Sequence, residues 1–231
     1  MQTSKISEIF LSYQGEGPYA SSRQLFIRFY GCNMSCVFCD TSPESYKTFT
    51  KDNLMGKVLD FDGGYNELVL TGGEPLMFPE FIAGFIGLFK NYRNNLVYLE
   101  TNGTLPEALE KVIDHVDIVA MDFKLPSSTG GAEDVWNLHE RFAAALGKKE
   151  LIIKAVITGS TLFDDIKRMA SVIKGLQRPT LDIVLQPVTP ENDLVAAADR
   201  EMLYYFKKYL EKETKRDILV FGQIHKCLGI R

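Results

Sequence analysis

The sequence predicts an α/β protein with a mainly parallel β-sheet. Short apolar runs alternate with segments of helical length along most of the chain, a pattern typical of βαβ units. No sequence repeat or low-complexity linker divides the 231 residues, so one large domain is expected. Polar residues follow the predicted strands, and parallel α/β folds build their sites at the carboxyl ends of strands.

The first part of the chain is less regular. Residues 6–12 alternate loosely and predict a strand or ribbon, which turn-forming residues at 14–18 end. The β-rich run at 25–30 predicts the first core strand, and it leads into a loop rich in cysteine. The segment 42–64 is polar and predicts one helix near 52–59.

From residue 68 onward, strands and helices alternate regularly, which with the run at 25–30 gives about six core strands. The predicted strands are 68–70, 96–99, 117–123, 150–158 and 181–185, with a short last strand at 217–221. The predicted helices are 79–92, 106–115, 133–146, 162–176 and 196–212.

Composition argues against several classes of function. The net charge is −4 and the basic residues are spread along the chain, so no nucleic-acid partner is expected. No apolar run approaches the ~20 residues that span a bilayer, and the N-terminus does not resemble a signal peptide. We therefore expect a cytoplasmic protein without a membrane partner. Four cysteines are too few for a disulfide framework here.

The cysteine-rich loop follows the first core strand. Cys32, Cys36 and Cys39 have the spacing C-x3-C-x2-C. Three thiolates can hold three irons of a [4Fe–4S] cluster and leave the fourth iron open to a ligand. Two other interpretations stay open: three structural cysteines, or a zinc site completed by Cys227 or by a distant histidine. The histidines, none at finger-like spacing, are His115, His139 and His225.

A second motif, Gly72-Gly73-Glu74-Pro75, ends the next predicted strand. Two glycines allow the backbone to approach a ligand closely. Backbone carbonyls and a carboxylate suit an ammonium group, which donates hydrogen bonds. Without the cysteines, the simpler interpretation would be a strand-to-helix turn.

The two motifs together, with Phe38 before the third cysteine, resemble the radical S-adenosylmethionine (SAM) enzymes. A narrower, ordered set of motifs resembles the 7-carboxy-7-deazaguanine synthase family. These motifs are Gln14-Gly15-Glu16-Gly17, Phe26-Ile27-Arg28, Cys39-Asp40-Thr41, Thr71-Gly72-Gly73-Glu74-Pro75, Glu100-Thr101-Asn102-Gly103-Thr104, Leu185-Gln186-Pro187-Val188 and Gln223-Ile224-His225-Lys226.

The resemblance implies a partial (β/α)6 TIM-like barrel of the radical SAM type. It implies one domain over 1–231, with a cluster loop at 31–41 and a substrate-pocket tail at about 217–231. The implied reaction is a lyase-type ring contraction of 6-carboxy-5,6,7,8-tetrahydropterin to 7-carboxy-7-deazaguanine with loss of ammonia, in queuosine and 7-deazapurine biosynthesis. The implied cofactors are a [4Fe–4S] cluster, SAM and Mg2+. A flavodoxin or ferredoxin would supply electrons, and the protein would form a homodimer.

The resemblance also implies roles for individual residues. Cys32, Cys36 and Cys39 would bind the cluster, and the Thr41 hydroxyl would bind Mg2+. Residues around SAM would be Phe38, Gly73, Glu74, Thr101, Lys124 and Gln186. Residues around the pterin would be Gln14, Glu16, Arg28, Thr71 and His225, of which Arg28, Glu16 and His225 are the catalytic candidates.

Two other functions, a glycyl-radical activating enzyme and a non-catalytic metal-binding module, stay open from the sequence. A glycyl-radical activating enzyme would share both main motifs, but residues 14–17 and the tail suit a small polar substrate. A non-catalytic zinc or Fe–S module would bind metal without cleaving SAM.

One departure from the family is the run Met121-Asp122-Phe123-Lys124-Leu125-Pro126, which replaces an expected Ser-Pro-Lys.

Overall fold

A computed structural model describes residues 2–41, 43–62, 64–131, 135–176, 178, 180–190 and 195–230. Nine strands in these ranges form one sheet. They are β1 Thr3–Tyr13, β2 Arg23–Phe29, β3 Lys47–Thr50, β4 Glu67–Gly72, β5 Leu96–Thr101, β6 Ile118–Asp122, β7 Glu150–Ile157, β8 Asp182–Pro187 and β9 Ile218–Val220.

The sheet has the strand order β3-β1-β2-β4-β5-β6-β7-β8-β9. The neighbours from β2 to β9 run parallel, whereas β1 pairs antiparallel with β2 and β3. Among the described pairings, none joins β3 to β9, so the barrel is open. This agrees with the predicted α/β fold and with a barrel that is only partial.

The helices follow the strands in alternation and cover one face of the sheet with apolar side chains. They are α1 Lys51–Leu59, α2 Pro79–Lys90, α3 Pro106–Glu110, α4 Pro126–Thr129, α5 Trp136–Ala145, α6 Phe163–Gly175, α7 Arg200–Thr214 and α8 Ile224–Leu228. None of the helices within the described ranges has the length and apolar character needed to cross a bilayer.

All predicted core strands are present, with small shifts at their ends. The helix predicted at 196–212 begins later because the Asp199 side chain accepts a hydrogen bond from Met202 N at 2.7 Å and caps it. The helix predicted to start at Glu133 is described from Trp136, since residues 132–134 lie outside the described ranges. The short elements β3, α4 and α8 were not predicted.

The face of the sheet opposite the helices has two layers. Along β2 and along each strand from β4 to β8, an apolar residue is followed two positions later by a polar one, and both face the barrel interior because strand side chains alternate. The pairs are Phe26 and Arg28, Val69 and Thr71, Tyr98 and Glu100, Ala120 and Asp122, Ile152 and Lys154, and Val184 and Gln186. The apolar members form a floor, and the polar members line a cavity above it.

Candidate active site

The cavity above the apolar floor has a volume of about 530 Å³ and lies at the carboxyl ends of the parallel strands. The cluster loop, the turn at 14–17 and the tail at 223–226 complete its wall. Every site residue predicted from the sequence lines this cavity except Glu74. The structure therefore brings together residues that are up to about two hundred positions apart.

The three cysteines of the cluster loop face this cavity. None is in a disulfide. Val37 N donates to the Thr129 carbonyl at 3.0 Å, which ties the middle of the loop to the end of α4. Burial is the main reason that the pKa of the Cys36 thiol is raised to about 11, with Lys124 acting against it and the Asp122 carboxylate adding to it. The Cys36 thiol is therefore neutral near pH 7 until a metal replaces its proton.

The second motif packs directly on the start of the cluster loop. Gly73 N donates to the Phe29 carbonyl at 3.1 Å, and Glu74 N donates to the Gly31 carbonyl at 2.9 Å. Gly72 has a φ of +135°, which favours glycine. A Cβ atom added to Gly73 would overlap the Gly31 carbonyl oxygen. The two glycines let β4 and the cluster loop make backbone contact.

The Glu74 side chain departs from the sequence expectation that it faces a ligand ammonium. It is fully buried, and its carboxylate accepts hydrogen bonds from Leu76 N at 3.0 Å, Thr101 Oγ1 at 2.8 Å and Asn102 N at 2.8 Å. Burial raises its pKa to about 7, against the effect of these hydrogen bonds. The Glu74 carboxylate thus fixes Thr101 and Asn102 at the end of β5, and it does not itself line the cavity.

Asn102 connects the end of β5 to the cluster loop. Its Oδ1 accepts from Thr104 N at 3.0 Å and from Thr104 Oγ1 at 2.6 Å. This fixes the amide, so that Nδ2 lies 2.8 Å from Asn33 Oδ1 and 3.8 Å from Cys32 Sγ. The Asn102 side chain is therefore an N–H donor to a predicted cluster ligand.

Arg28 lies between the edge of the sheet and the cluster loop. Its Nε donates to Glu8 Oε2 at 3.0 Å, and its Nη1 lies 3.4 Å from Thr41 Oγ1. Its guanidinium carbon lies 5.5 Å from the centroid of the Phe10 ring. Arg28 is therefore both an ion-pair partner of Glu8 and a cation that lines the cavity.

Glu16 is the centre of a polar network in the cavity wall. Its Oε2 accepts from Lys154 Nζ at 2.7 Å, and its Oε1 accepts from Gln223 Nε2 at 2.9 Å and Gln186 Nε2 at 3.3 Å. Burial alone would raise the pKa of Glu16, but Lys154 and the Gln223 hydrogen bond hold it below its ordinary value. Glu16 is therefore an ionised acceptor at neutral pH.

Gln14 and Thr71, both predicted from the sequence, meet at Glu100, which was not predicted. Gln14 Nε2 donates to Glu100 Oε1 at 3.0 Å, and Thr71 Oγ1 donates to Glu100 Oε2 at 2.6 Å. Gln14 Oε1 also accepts from Glu16 N at 3.2 Å. The turn at 14–17 is thus tied to the ends of β4 and β5.

Lys124 lies within the site although its local sequence departs from the family pattern. Its Nζ lies 2.8 Å from Asp122 Oδ2 and 5.2 Å from the centroid of the Phe38 ring. Burial would lower its pKa, but Asp122 and the Cys36 thiolate raise the value above normal. Lys154 Nζ approaches the same Asp122 oxygen at 3.7 Å.

The C-terminal tail covers one side of the cavity. Ile224 N donates to the Gly15 carbonyl at 2.9 Å, which places the His225 side chain against Gly15. Asp40 Oδ2 accepts from Gln223 Nε2 at 2.9 Å and pairs with Lys226 Nζ at 2.7 Å. Although burial opposes it, these contacts lower the pKa of Asp40 to about 2. Cys227 is exposed outside the cavity, and Arg231 lies outside the described residues.

Comparison with known proteins identifies the family. A model of the Radical SAM superfamily matches residues 26–200. A curated 7-carboxy-7-deazaguanine synthase from Geobacter sulfurreducens is 34% identical, and the alignment covers 97% of each chain. The chain belongs to this synthase family. A second 7-carboxy-7-deazaguanine synthase, from Methanothermobacter thermautotrophicus, is 28% identical over 98% of this chain and 97% of its own length.

Solved structures agree on the fold. QueE from Escherichia coli superposes with a TM-score of 0.63 at 17% identity, covering 94% of this chain and 93% of that one. A radical SAM methyltransferase from Sphaerobacter thermophilus gives a TM-score of 0.64 at 15% identity, covering 90% of this chain and 67% of that one. The predicted partial barrel of the radical SAM type is confirmed.

The donor set of this synthase-family chain fits the cluster that the superfamily implies. The three thiols of the cluster loop face one cavity, and thiolates are the ligands that iron–sulfur clusters use. In the described ranges, no three Cys, His, Asp or Glu side chains, those of the cluster loop included, are arranged around a single metal ion. The choice of a cluster over zinc therefore rests on the family, which implies a [4Fe–4S] cluster.

The charged cavity residues that the sequence reasoning missed include three on the barrel strands: Glu100, Asp122 and Lys154. Each lies two positions after an inward-facing residue of the apolar floor, on β5, β6 or β7. Residues two positions apart on a strand point to the same face of the sheet. The spacing in the sequence therefore predicts that these three side chains face the barrel interior, as the floor residues do.

Proposed function

We propose that this member of the 7-carboxy-7-deazaguanine synthase family contracts the ring of 6-carboxy-5,6,7,8-tetrahydropterin to 7-carboxy-7-deazaguanine and releases ammonia. The observation that carries the proposal is the shared cavity of Arg28, Glu16 and the three cysteines. A carboxylate-binding group, a pterin-binding group and a cluster-binding loop thus face the same space. The near full-length similarity to synthases of this name supports the same conclusion.

The cysteines Cys32, Cys36 and Cys39 would hold the cluster. When bound, the cluster and SAM supply one-electron cleavage of the sulfonium, which starts a radical reaction on the substrate. Residues of the cavity wall would position SAM. Glu74 holds one of them, Thr101, by accepting a hydrogen bond from Thr101 Oγ1 at 2.8 Å. The proposed SAM contacts are Phe38, Gly73, Thr101, Lys124 and Gln186, with Glu74 behind them.

Arg28 would bind the substrate carboxylate. A planar guanidinium donates two parallel hydrogen bonds to a carboxylate, and the ion pair with Glu8 holds Nε while the Nη atoms stay at the cavity side. The adjacent Thr41 hydroxyl would bind Mg2+, which prefers oxygen ligands and keeps several waters. The substrate carboxylate would then lie between Arg28 and the metal.

Glu16 would accept hydrogen bonds from the ring N–H and the 2-amino group of the pterin, because an ionised carboxylate is acceptor-only. Gln14, Thr71 and His225 line the same part of the cavity. The apolar floor below them excludes water from the ring, which protects a radical reaction from stray hydrogen donors.

The wider setting is part of the proposal. We take residues 1–231 as one domain, with the cluster loop 31–41 and the tail 217–231 as its parts. Free cysteines facing an open cavity suit a reducing cytoplasm, where a flavodoxin or ferredoxin would donate electrons. A homodimer is proposed from the family resemblance.

A mass-spectrometric assay of the anaerobically reconstituted protein tests this function. The protein receives SAM, a reductant and the carboxypterin, and the expected result is 7-carboxy-7-deazaguanine with SAM used catalytically. A glycyl-radical activating enzyme would leave the pterin unconsumed. A non-catalytic metal module would also leave SAM intact on reduction. Failure to consume the pterin, with the cluster loaded and SAM cleaved, would contradict the proposal.

A further inference from the structure

Lys154 is a partly buried cation of the cavity, and neither the motifs nor the proposed function explains its role. It points inward from the middle of β7, in the polar layer directly above the apolar floor. Its ammonium lies 2.7 Å from Glu16 Oε2 and 3.7 Å from Asp122 Oδ2. An ammonium has three N–H donors and no acceptor, and only Glu16 lies within hydrogen-bonding distance among the described residues.

The arrangement of donors and acceptors selects a class of ligand. Glu16 presents the acceptor oxygens of its carboxylate, and Lys154 adjoins it as a donor. A 2-amino-4-oxopyrimidine ring has the complementary order, because its 2-amino group and N3–H donate while the neighbouring 4-oxo group accepts. A 4-amino ring would instead direct an N–H group at the Lys154 ammonium, with donor facing donor.

We propose that Lys154 donates a hydrogen bond to the 4-oxo oxygen of the pterin, while the Glu16 carboxylate accepts from the N3–H and 2-amino groups. Lys154 is then a specificity-determining residue for the ring edge opposite the carboxylate that Arg28 binds. This inference rests on the proposed function and adds the recognition of the pyrimidine half of the substrate.

The electrostatics of the layer agree with this role. Lys154 holds Glu16 ionised, so that Glu16 accepts and does not donate. The pKa of Lys154 lies well above its ordinary value, because Glu16, Asp122 and Glu100 outweigh the effect of burial. The ammonium therefore remains a donor throughout the neutral pH range. The other groups that face Glu16 are Gln186, Gln223, Asp40 and Tyr98.

The test compares two ligands in the cluster-loaded protein. Binding of the carboxytetrahydropterin and of its 4-amino analogue is measured calorimetrically with SAM present, for the wild type, Lys154→Met and Lys154→Gln. Lys174→Met, at an exposed lysine paired with Glu213, is the matched control. Iron content and circular dichroism report folding of each variant, and two variants are used in case one fails to load iron.

We expect the wild type and Lys174→Met to prefer the 4-oxo ligand. Lys154→Met should lose roughly 10- to 100-fold in affinity for the 4-oxo ligand, the range for a hydrogen bond to a charged group, with little change for the 4-amino analogue. Lys154→Gln should also lose most of the preference, because an amide can either donate or accept.

The outcomes separate the inference from the proposed function. If the wild type converts the carboxypterin and a well-folded Lys154 variant keeps the full 4-oxo preference, the inference is overturned and the function stands. If the wild type cleaves SAM but neither binds nor converts the carboxypterin, both are overturned. Loss of the preference with normal iron content and normal SAM affinity supports the inference.

Discussion

Arg28 contacts two groups through different nitrogens of one planar guanidinium, which the single ammonium of a lysine could not do. Its Nε is fixed by Glu8, and its Nη1 faces Thr41 across 3.4 Å. The guanidinium fork presents several donors in one plane, whereas an ammonium is a single point of charge. The residue identity, and not only its charge, therefore sets the orientation of a bound carboxylate.

Substitution of Arg28 should slow turnover without disturbing the cluster. We expect Arg28→Lys to lower kcat/KM by roughly 10- to 100-fold, since a small displacement of the reacting atom costs about that much, and Arg28→Ala to lower it further. Iron content should match the wild type. Arg168→Lys, at an exposed arginine paired with Glu140, is the control. Full activity of Arg28→Ala would show that another group binds the carboxylate.

His139 illustrates a buried residue that supports the site from a distance. Its ring packs on Phe123 with centroids 4.8 Å apart, and Nε2 lies 3.2 Å from the Asn102 carbonyl oxygen. Because a carbonyl only accepts, Nε2 carries the proton of a neutral ring. Burial lowers the pKa of His139 to about 4, so the folded protein favours the neutral form.

The contribution of His139 to the stability of the cluster-free protein should therefore fall with acid. The folded pKa of His139 lies below the ordinary value of 6.5, so this contribution is complete above about pH 6.5 and is lost as the pH falls towards 4. The expected loss of the contribution between pH 7 and pH 5 is about 2 kcal/mol. Urea titrations measure it as the difference between the pH slopes of the wild type and His139→Phe, because other titrating groups such as Glu74 are common to both proteins. Equal pH slopes in both proteins would refute the assignment.

At the scale of elements, strands and long helices could be predicted because their apolar spacing is local. The missed elements β3, α4 and α8 are short and partly polar, and each is defined by a partner distant in sequence. Thr129 at the end of α4 accepts from Val37 N, and Ile224 at the start of α8 donates to Gly15. No local pattern encodes such contacts. The motifs at the strand ends were predicted to share one edge, and they do.

The contact between β4 and the cluster loop gives a prediction for this pair of elements. Gly73→Ala would place a Cβ on the Gly31 carbonyl oxygen, so the loop must shift, and we expect reconstituted iron to fall by more than half. Gly87→Ala in α2 is the matched control, because a Cβ there meets nothing within 4 Å and alanine favours helix. Iron and sulfide assays after anaerobic reconstitution measure both. Normal iron content in Gly73→Ala would mean that the close backbone contact is not required.

At the scale of the whole molecule, the cavity depends on contacts between the two ends of the chain. Glu16 near the N-terminus meets Lys154 across 138 positions and Gln223 across 207. The family motifs include Glu16 and the tail residue Gln223, but they do not include Lys154, the cation that pairs with Glu16. The partners of Glu16 follow from how the open barrel brings β7, β8 and the C-terminal tail to the turn at 14–17, which composition and spacing do not specify.

Gln223 joins the turn at 14–17, the cluster loop and the tail, because its Nε2 lies 2.9 Å from both Glu16 Oε1 and Asp40 Oδ2. Gln223→Ala removes a donor shared by two carboxylates, and we expect carboxypterin affinity to fall about 10-fold. Gln223→Glu adds a third negative charge, so its loss should be larger, roughly 100-fold. Gln2→Glu, at an exposed position, controls for charge alone. Calorimetry with the cluster-loaded protein measures each affinity, and SAM binding should stay unchanged. An alanine variant weaker than the glutamate variant would mean that packing of the tail, and not charge balance at Glu16 and Asp40, holds the ends of the chain together.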